Sequence, residues 1–275
     1  MNEQRVVLRS TNVVTVDSLI EDLRAIGVKA GDTLIVHSSL SRIGWVCGGP
    51  VAVVQALMEA ITPQGNLVMP THTGDYSEPS KWMMPPVPES WWDTIRKTMP
   101  AFDPKVTPTR GMGAIPECFR TFDGVLRSDH PALSFAAWGK DAELIVRDHS
   151  LEFGLGEQSP LARVYDLDGK VLLLGVSYDS NTSFHLAENR VPNPPLAWEG
   201  APVLENGVRV WKKYREVAFD TDRFDELGEA FEASPGRPVT NGRIGVAESK
   251  LFRQRDGVDF AVEWLKDTPA GREEY

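Results

Sequence analysis

Helix and strand signatures alternate from the first fifty residues onward, and that alternation most limits what this chain can fold into. "TVDSLIEDLRAIGVKAGD" carries apolar residues at Leu19, Ile20, Leu23 and Ile26, the stripe of an amphipathic helix. Thr15 or Asp17 is its candidate cap and Gly27 its stop. "TLIVHSS" follows as a strand. Gly48-Gly49-Pro50 then opens a second helix, "VAVVQALMEAIT", with Pro50 placed where the first turn has no N–H to lose. "GNLVMPTHT" is the next strand. Each amphipathic face needs a partner layer. The expectation is an α/β fold, a three-layer α/β/α single domain with a central mixed sheet over residues 1–275, residues 1–15 forming an N-terminal extension.

With 275 residues, 41% hydrophobic and 25% charged, the chain can bury a substantial core without disulfides or metals. No apolar run approaches the about 20 residues needed to span a bilayer, so no membrane partner is expected. "MNEQRVVLRSTNVVTV" has no apolar core followed by a small-residue cleavage site, and a cytoplasmic location is the expectation. The net charge of −10 disfavours a nucleic-acid backbone and favours a cationic ligand. Cys47 and Cys118 lie far apart without metal-ligand spacing and read as reduced thiols.

From Gly74 to Pro108 the periodicity breaks into a segment dense in proline and tryptophan, with one short helix around Trp91 to Thr98. A stretch this long inside a compact domain is often a lid or substrate wall; a plain surface insertion reads equally well at this point. Beyond it, "GAIPECFRTF" and "KDAELIVRDH" read as helices, "VLRSDHPALSFAAWG" as short strands around a turn and "KVLLLGV" as a buried strand. Helices near Asp225–Ala233 and Gly257–Lys266 and strands near Val208–Phe219 and Val239–Val246 complete the pattern.

"LLLGVSYDSNTSFHLAE" puts Thr182, His185 and Glu188 just past a strand's carboxyl end, where open α/β sheets collect active sites. Their i, i+3, i+6 spacing aligns them along one side of a helix. A base and hydroxyls then converge on one spot, although a lone histidine packed against the sheet fits the same pattern. "VHSSLSRIGWVCGGP" and "TPTRGMGAIP" are turns suited to holding an anion, or simply helix entries. No HExxH or GxSxG motif occurs among the residues around the five histidines and the serines, so neither a catalytic metal nor a serine nucleophile is expected.

Taken together, "VHSSLSRIG", "GGP", "FDP", "RSDHPALSFAAWG", "GEQSPLARVYDLDGKVLLLGVSYDSNTSFHLAE" and "GRIGVAESKLF" resemble the aminoglycoside 3-N-acetyltransferase family, colinearly from roughly Val16 to Lys266. The resemblance implies acetyl-coenzyme A as co-substrate, without a metal, and an aminoglycoside amine as acceptor, the 3-amino group in the family's namesake reaction. It places the general base at His185 and a supporting hydroxyl at Thr182. The carboxylate behind the base falls on Glu232, with Glu229 and Glu188 as substitutes. The coenzyme-A groove falls on Val36, His37, Ser38, Ser39 and Leu40, on Arg110, Gly111, Met112 and Gly113, and on Ser128, Ser134 and Phe135. The variable segment 74–108 becomes the acceptor-facing wall. Asp75, Tyr76, Glu78 and Asp103, with Glu89 and Asp93 nearby, would draw a polycation there, and Glu188 also counts among the acceptor-side residues. Related members acylate other amines, so a different acceptor, a longer acyl group, or a non-catalytic binder of acyl-coenzyme A stands as the alternative. A homodimer is left open.

Overall fold

The computed structural model describes residues 3–10 and 12–267; residues 1, 2, 11 and 268–275 of the expected domain lie outside them. In chain order the elements are α1 (Glu3–Arg9), α2 (Val16–Ile26), β1 (Thr33–Ser38), α3 (Leu40–Ile43), α4 (Gly49–Ile61), β2 (Asn66–Pro70), α5 (Glu89–Thr98), α6 (Ala114–Phe119), β3 (Leu126–Arg127) and β4 (Phe135–Gly139). There follow α7 (Ala142–Val146), α8 (Pro160–Asp166), β5 (Lys170–Leu174), α9 (Ser183–Arg190), β6 (Leu196–Glu205), β7 (Val208–Val217), α10 (Phe224–Ala233), β8 (Thr240–Ile244), β9 (Ala247–Arg253) and α11 (Gln254–Asp267).

Seven strands form one sheet in the order β3-β4-β2-β1-β5-β9-β8. The central strand β1 runs parallel to both neighbours, with Ile35 opposite Val68 on β2 and Val171 on β5. β4, β9, β8 and β3 pair antiparallel, so the sheet is mixed. Side chains alternate between faces along each strand. Leu34, Val36, Leu67, Met69, Leu172 and Leu174 meet α2, α4 and α6 in one apolar layer. Ile35, Val68, Val171 and Leu173 meet α7 to α11 in the other. The expected three-layer α/β/α architecture is what the chain forms.

Local chemistry explains the boundaries. Thr15 caps α2, its hydroxyl accepting from the Ser18 N–H while the Ser18 hydroxyl accepts from the Thr15 N–H, a reciprocal cap. Gly27 ends the helix at φ 107°, a left-handed conformation that costs a β-carbon-bearing residue more. α4 opens with Gly48 at φ 89° and Pro50 in its first turn.

Five elements escape the pattern in the sequence, two of them, α1 and α3, because seven and four residues are too few to show a period. β6 is a ten-residue strand whose Pro195 and Pro202 mask it; it pairs with β7 in a two-stranded ribbon separate from the main sheet, where prolines are tolerated. β9 is disguised by Glu248 and Lys250, which alternate with the buried Ser249 and Leu251. α8, opened by Pro160, is too short to show a period.

Gly139 ends β4 at φ +122°, and a Cβ there would collide with the Gly65 carbonyl oxygen and the Asn66 backbone. Gly139→Ala is therefore expected to cost about 3 kcal/mol or more through strain and collision. The check is a urea midpoint that falls at unchanged m-value.

Candidate active site

Because β1, β2 and β5 are parallel neighbours, their carboxyl ends emerge on one edge of the sheet, and three chain segments bring polar residues there: His37-Ser38-Ser39, Thr71-His72-Thr73, and Gly175 to Asn181 leading into α9. Thr182 stands at the start of α9, 8% exposed, its side chain making no capping bond. One turn on, His185 Nδ1 lies 2.5 Å from Glu188 Oε2, an i, i+3 pair in which both side chains are nearly buried. The other Glu188 oxygen accepts from the Asp220 N–H at 3.0 Å. A carboxylate accepts only, so Nδ1 carries the proton it donates and Nε2 keeps its lone pair. The rings of Phe219 and Phe224, at 4.6 and 4.9 Å, fix the imidazole from the sides. The imidazole is oriented, its angle set by a carboxylate that is itself held.

That geometry corrects the expectation for Glu232. Its carboxylate meets Lys250 Nζ on β9 at 2.5 Å and sits beside the Tyr178 phenol, whose ionisation is held up by burial first and by Glu232 second. Glu229 is exposed on α10. Glu188, one turn from the histidine on the same helix, is the carboxylate that meets the imidazole, its other oxygen taken by the Asp220 N–H.

Two open grooves of about 1340 and 620 Å³ share Ser39, Val176 and Ser180 and so run into one another. Ser38, Ser39, Leu40, Gly111, Met112 and Gly113, six of the residues that the resemblance assigns to the donor, together line the smaller one. The larger one is lined by Arg9, Arg42, Arg243 and Lys250 together with Asp179 and Glu248, a net positive charge in which Lys250 is paired with Glu232 and Arg243 lies 3.9 Å from Glu248. The other expected groove residues lie elsewhere. Val36 is fully buried among the apolar residues of the first layer. Ser128 and Ser134 are 1% and 0% exposed and bonded within the protein: the Ser128 hydroxyl takes the Phe135 N–H and meets His149 Nδ1 at 2.8 Å, while the Ser134 hydroxyl donates to the Thr71 carbonyl. Phe135 is core, edge-on to the His72 ring at 5.2 Å. They build the floor under the strand ends rather than a groove wall. Arg110 lines a third cavity of about 550 Å³ with Asp75, Tyr76, Trp82, Met83 and Met84.

Three carboxylates of the acidic wall expected in segment 74–108 are paired with arginines, and Asp103 is held by a backbone N–H. Glu78 is buried, and Arg96 grips it at 2.5 Å; burial raises its carboxyl, but the bonds from Arg96 and Ser80 outweigh this and hold it below the usual range. Asp75 pairs with Arg110 at 3.3 Å, Asp93 with Arg96 at 3.2 Å, and Asp103 accepts from the Lys105 N–H at 2.8 Å. Tyr76 packs edge-on to Phe102.

Two structural groups went unread in the sequence. Arg127 is a partly buried guanidinium that donates to Thr71, Thr73 and Ser134 on one side and to the Pro104 and Thr107 carbonyls of the variable segment on the other. Phe102 covers it at 5.0 Å. Burial, with help from Arg120, lowers its pKa to about 10, so it stays charged at neutral pH. The second group is the set of inward histidines. His37 and His72 are pushed down to about 3, by burial first and then by the charge His185 would carry. His149, whose Nε2–H donates to the Gly154 carbonyl at 2.6 Å, is lowered to about 4 by burial. A single arginine in "VLRSD" and histidines 35 and 77 residues apart carry no local signal of either role. Among the described residues no cluster of three or more His, Cys, Asp or Glu side chains is arranged to hold a metal ion, and no helix is long and apolar enough to cross a membrane.

Comparison with known proteins gives the same direction throughout. Residues 35–266 match the family described as aminoglycoside 3-N-acetyltransferase. The SPbeta prophage-derived aminoglycoside N(3')-acetyltransferase-like protein YokD of Bacillus subtilis is 50% identical over 95% of this chain and 96% of its own. Its crystal structure superposes with a TM-score of 0.94, covering 98% of this chain and 100% of that one at 48% identity. Aminoglycoside N(3)-acetyltransferase VII of Streptomyces paromomycinus is 35% identical over 99% of this chain and 98% of its own. A structure described as AAC-IIIb binary with CoASH superposes with a TM-score of 0.83 at 32% identity, covering 94% and 100% of the two chains.

The buried neutral histidines make stability acid-sensitive. Their folded pKa values lie below the unfolded value of about 6.5, so the unfolded chain binds more protons as pH falls, and stability drops from about pH 6.5 downward by up to ~1.4 kcal/mol per pH unit for each histidine. His149→Gln is expected to flatten that slope by about one histidine's share; urea midpoints measured at several pH values between 7 and 4 check it. Arg127→Met is expected to cost roughly 3 kcal/mol and to open the 74–108 segment to limited proteolysis before the rest of the chain is cut.

Proposed function

We propose that this chain, which belongs to the aminoglycoside 3-N-acetyltransferase family, transfers the acetyl group of acetyl-coenzyme A directly to an aminoglycoside amine, with His185 as general base and Glu188 behind it. The observation that carries the reading is the His185–Glu188 pair on α9, the helix that follows the carboxyl end of β5 through a turn whose Val176 and Ser180 line both grooves.

An ammonium has no lone pair with which to attack a thioester. The ammonium proton goes to solvent; as the neutral amine attacks, His185 Nε2 takes the second proton that the nitrogen loses, and Glu188 stabilises the imidazolium through Nδ1–H. The nitrogen bonds to the carbonyl carbon, the π pair moves to oxygen, and collapse breaks the C–S bond. The departing thiolate takes the proton from His185, which restores the base. Thr182, one turn before His185, is positioned as a supporting hydroxyl. The donor's phosphates fit the end of the groove where Arg42, Arg243 and Lys250 stand, and its pantetheine arm fits the narrower part between Ser38–Leu40 and Gly111–Gly113.

A second reading, a different amine as acceptor, is favoured by the third cavity. Its walls are Tyr76, Trp82, Met83 and Met84, and its Asp75 is already paired with Arg110, so it offers more apolar surface than free negative charge.

His185→Gln is expected to lower turnover by ~10²–10⁴-fold while acetyl-coenzyme A binding, read by calorimetry, stays unchanged; near-normal turnover would overturn the base assignment. Glu188→Gln should lower turnover less, because Nε2 survives without its support, whereas Glu232→Gln should leave it within about threefold. Thiol release with an aminoglycoside and with an aromatic monoamine, each at low and high salt, separates the two acceptor readings. A polycation held by charge shows a KM rising with ionic strength; an amine held by the apolar cavity does not.

A further inference from the structure

The strand ends carry an excess of unsatisfied polar groups. His37 Nε2, Ser38 Oγ, His72 Nε2 and Asn181 Nδ2 are all buried without a hydrogen-bond partner among the described residues. They belong to the ends of β1 and β2 and to the turn into α9, which is one place in the fold. A buried donor left unpaired costs about 1–3 kcal/mol, and such a group in a native fold calls for a partner that the protein itself does not supply.

His37 is the most informative of them. It is 6% exposed and shares with Ile35 the face of the sheet that packs against α9, the face on which His185 stands. The next two residues of the chain, Ser38 and Ser39, line the donor groove. His37 thus lies one residue below the groove-lining Ser38 and Ser39, buried on the side of the sheet that carries α9 and near enough to His185 to feel the charge of that ring. Burial holds its ring neutral at physiological pH, so it has one N–H to donate and does not compete with His185 for the proton. The backbone N–H of Ser39, otherwise the natural donor at this turn, is already given to the Leu174 carbonyl at 3.0 Å.

We propose that His37 is a further catalytic residue: its neutral imidazole N–H donates to the thioester carbonyl oxygen and holds the negative charge that develops there. This rests on the acetyl-transfer reading and adds a residue to it. When the acceptor nitrogen attacks, the C=O π pair moves onto oxygen and His37 strengthens its hydrogen bond to that oxygen without giving up its proton. When the C–S bond breaks, the pair returns to re-form the carbonyl. His185 alone moves protons. A neutral donor preorganised in a dry pocket is worth most where charge appears only in the transition state.

The test uses the full-length enzyme. His37→Leu removes the donor and is expected to lower kcat by about 10²–10³-fold, with the KM for acetyl-coenzyme A and the affinity for coenzyme A changed by less than about threefold. His37→Gln, which restores a side-chain N–H, should recover at least about tenfold of that loss. A residue that merely packs would show no rescue by Gln and no separation of kcat from KM. A folded His37→Leu enzyme that binds acetyl-coenzyme A and turns over within about threefold of the parent would overturn the proposal. Should His37→Leu fail to fold, imidazole ¹⁵N spectra of the unaltered enzyme decide. The His37 N–H resonance is expected to move on adding acetyl-coenzyme A but not free coenzyme A, which lacks the carbonyl; equal response to both would overturn the proposal. Failure of the His185 reading shows separately, as turnover that survives His185→Gln.

Discussion

The site depends on one constraint of sheet geometry: strands that run parallel side by side finish at the same edge. β1 is flanked on both sides by parallel partners in a sheet whose other pairings are antiparallel. That central trio is the minimum that gathers three chain segments at one rim, and each contributes a different kind of group. β1 supplies His37 and the donor-groove serines, β2 supplies His72 and the entry to the variable segment, and β5 leads through a short turn into α9. Antiparallel pairing at these positions would send the groups to opposite ends of the sheet. The helices on both faces then bury the strands and make the rim the place where polar chemistry is exposed to ligands.

Arg127 is the second constraint. A guanidinium taken from water needs all its donors matched, and here carbonyls and hydroxyls match them in place of a carboxylate. The arrangement keeps the positive charge while tying Pro104 and Thr107 to Thr71 and Thr73. The β6–β7 ribbon adds a brace from the other side: the Phe102 N–H donates to the Pro202 carbonyl at 3.1 Å and Arg209 Nε to the Met99 carbonyl at 2.9 Å. A segment without a sheet of its own is thereby held against the strand ends.

Much of this was legible in the residues themselves. The stripe from Leu19 to Ile26, the Gly27 stop and the Pro50 entry mark helices by local rules, and the run of leucines before Gly175 marks the strand that leads to the site. His185 and Glu188 were visible as neighbours from helix spacing alone, which is a physical relation. Glu232 was chosen by counting along an alignment, a relation that contains no distance, and Lys250 on the neighbouring strand claims it. Ser128 and Ser134 were misplaced for a similar reason: a hydroxyl reads the same in sequence whether it faces a ligand or the Phe135 N–H. The carboxylates of the variable segment looked available because their cations, Arg96 and Arg110, lie 18 and 35 residues away from their partners. Long-range pairing of charges has no periodicity to betray it.

The anchorage of segment 74–108 is a handful of bonds to Arg127, several to the β6–β7 ribbon through Phe102, Met99, Arg96 and Lys81, and ion pairs within itself and to Arg110, whereas His185 and Glu188 belong to a helix packed on the sheet. Substitutions or insertions between those anchor points leave the core hydrogen bonds and the base untouched. A change in this segment therefore reshapes the third cavity at little cost to the sheet on which the rest of the molecule is built.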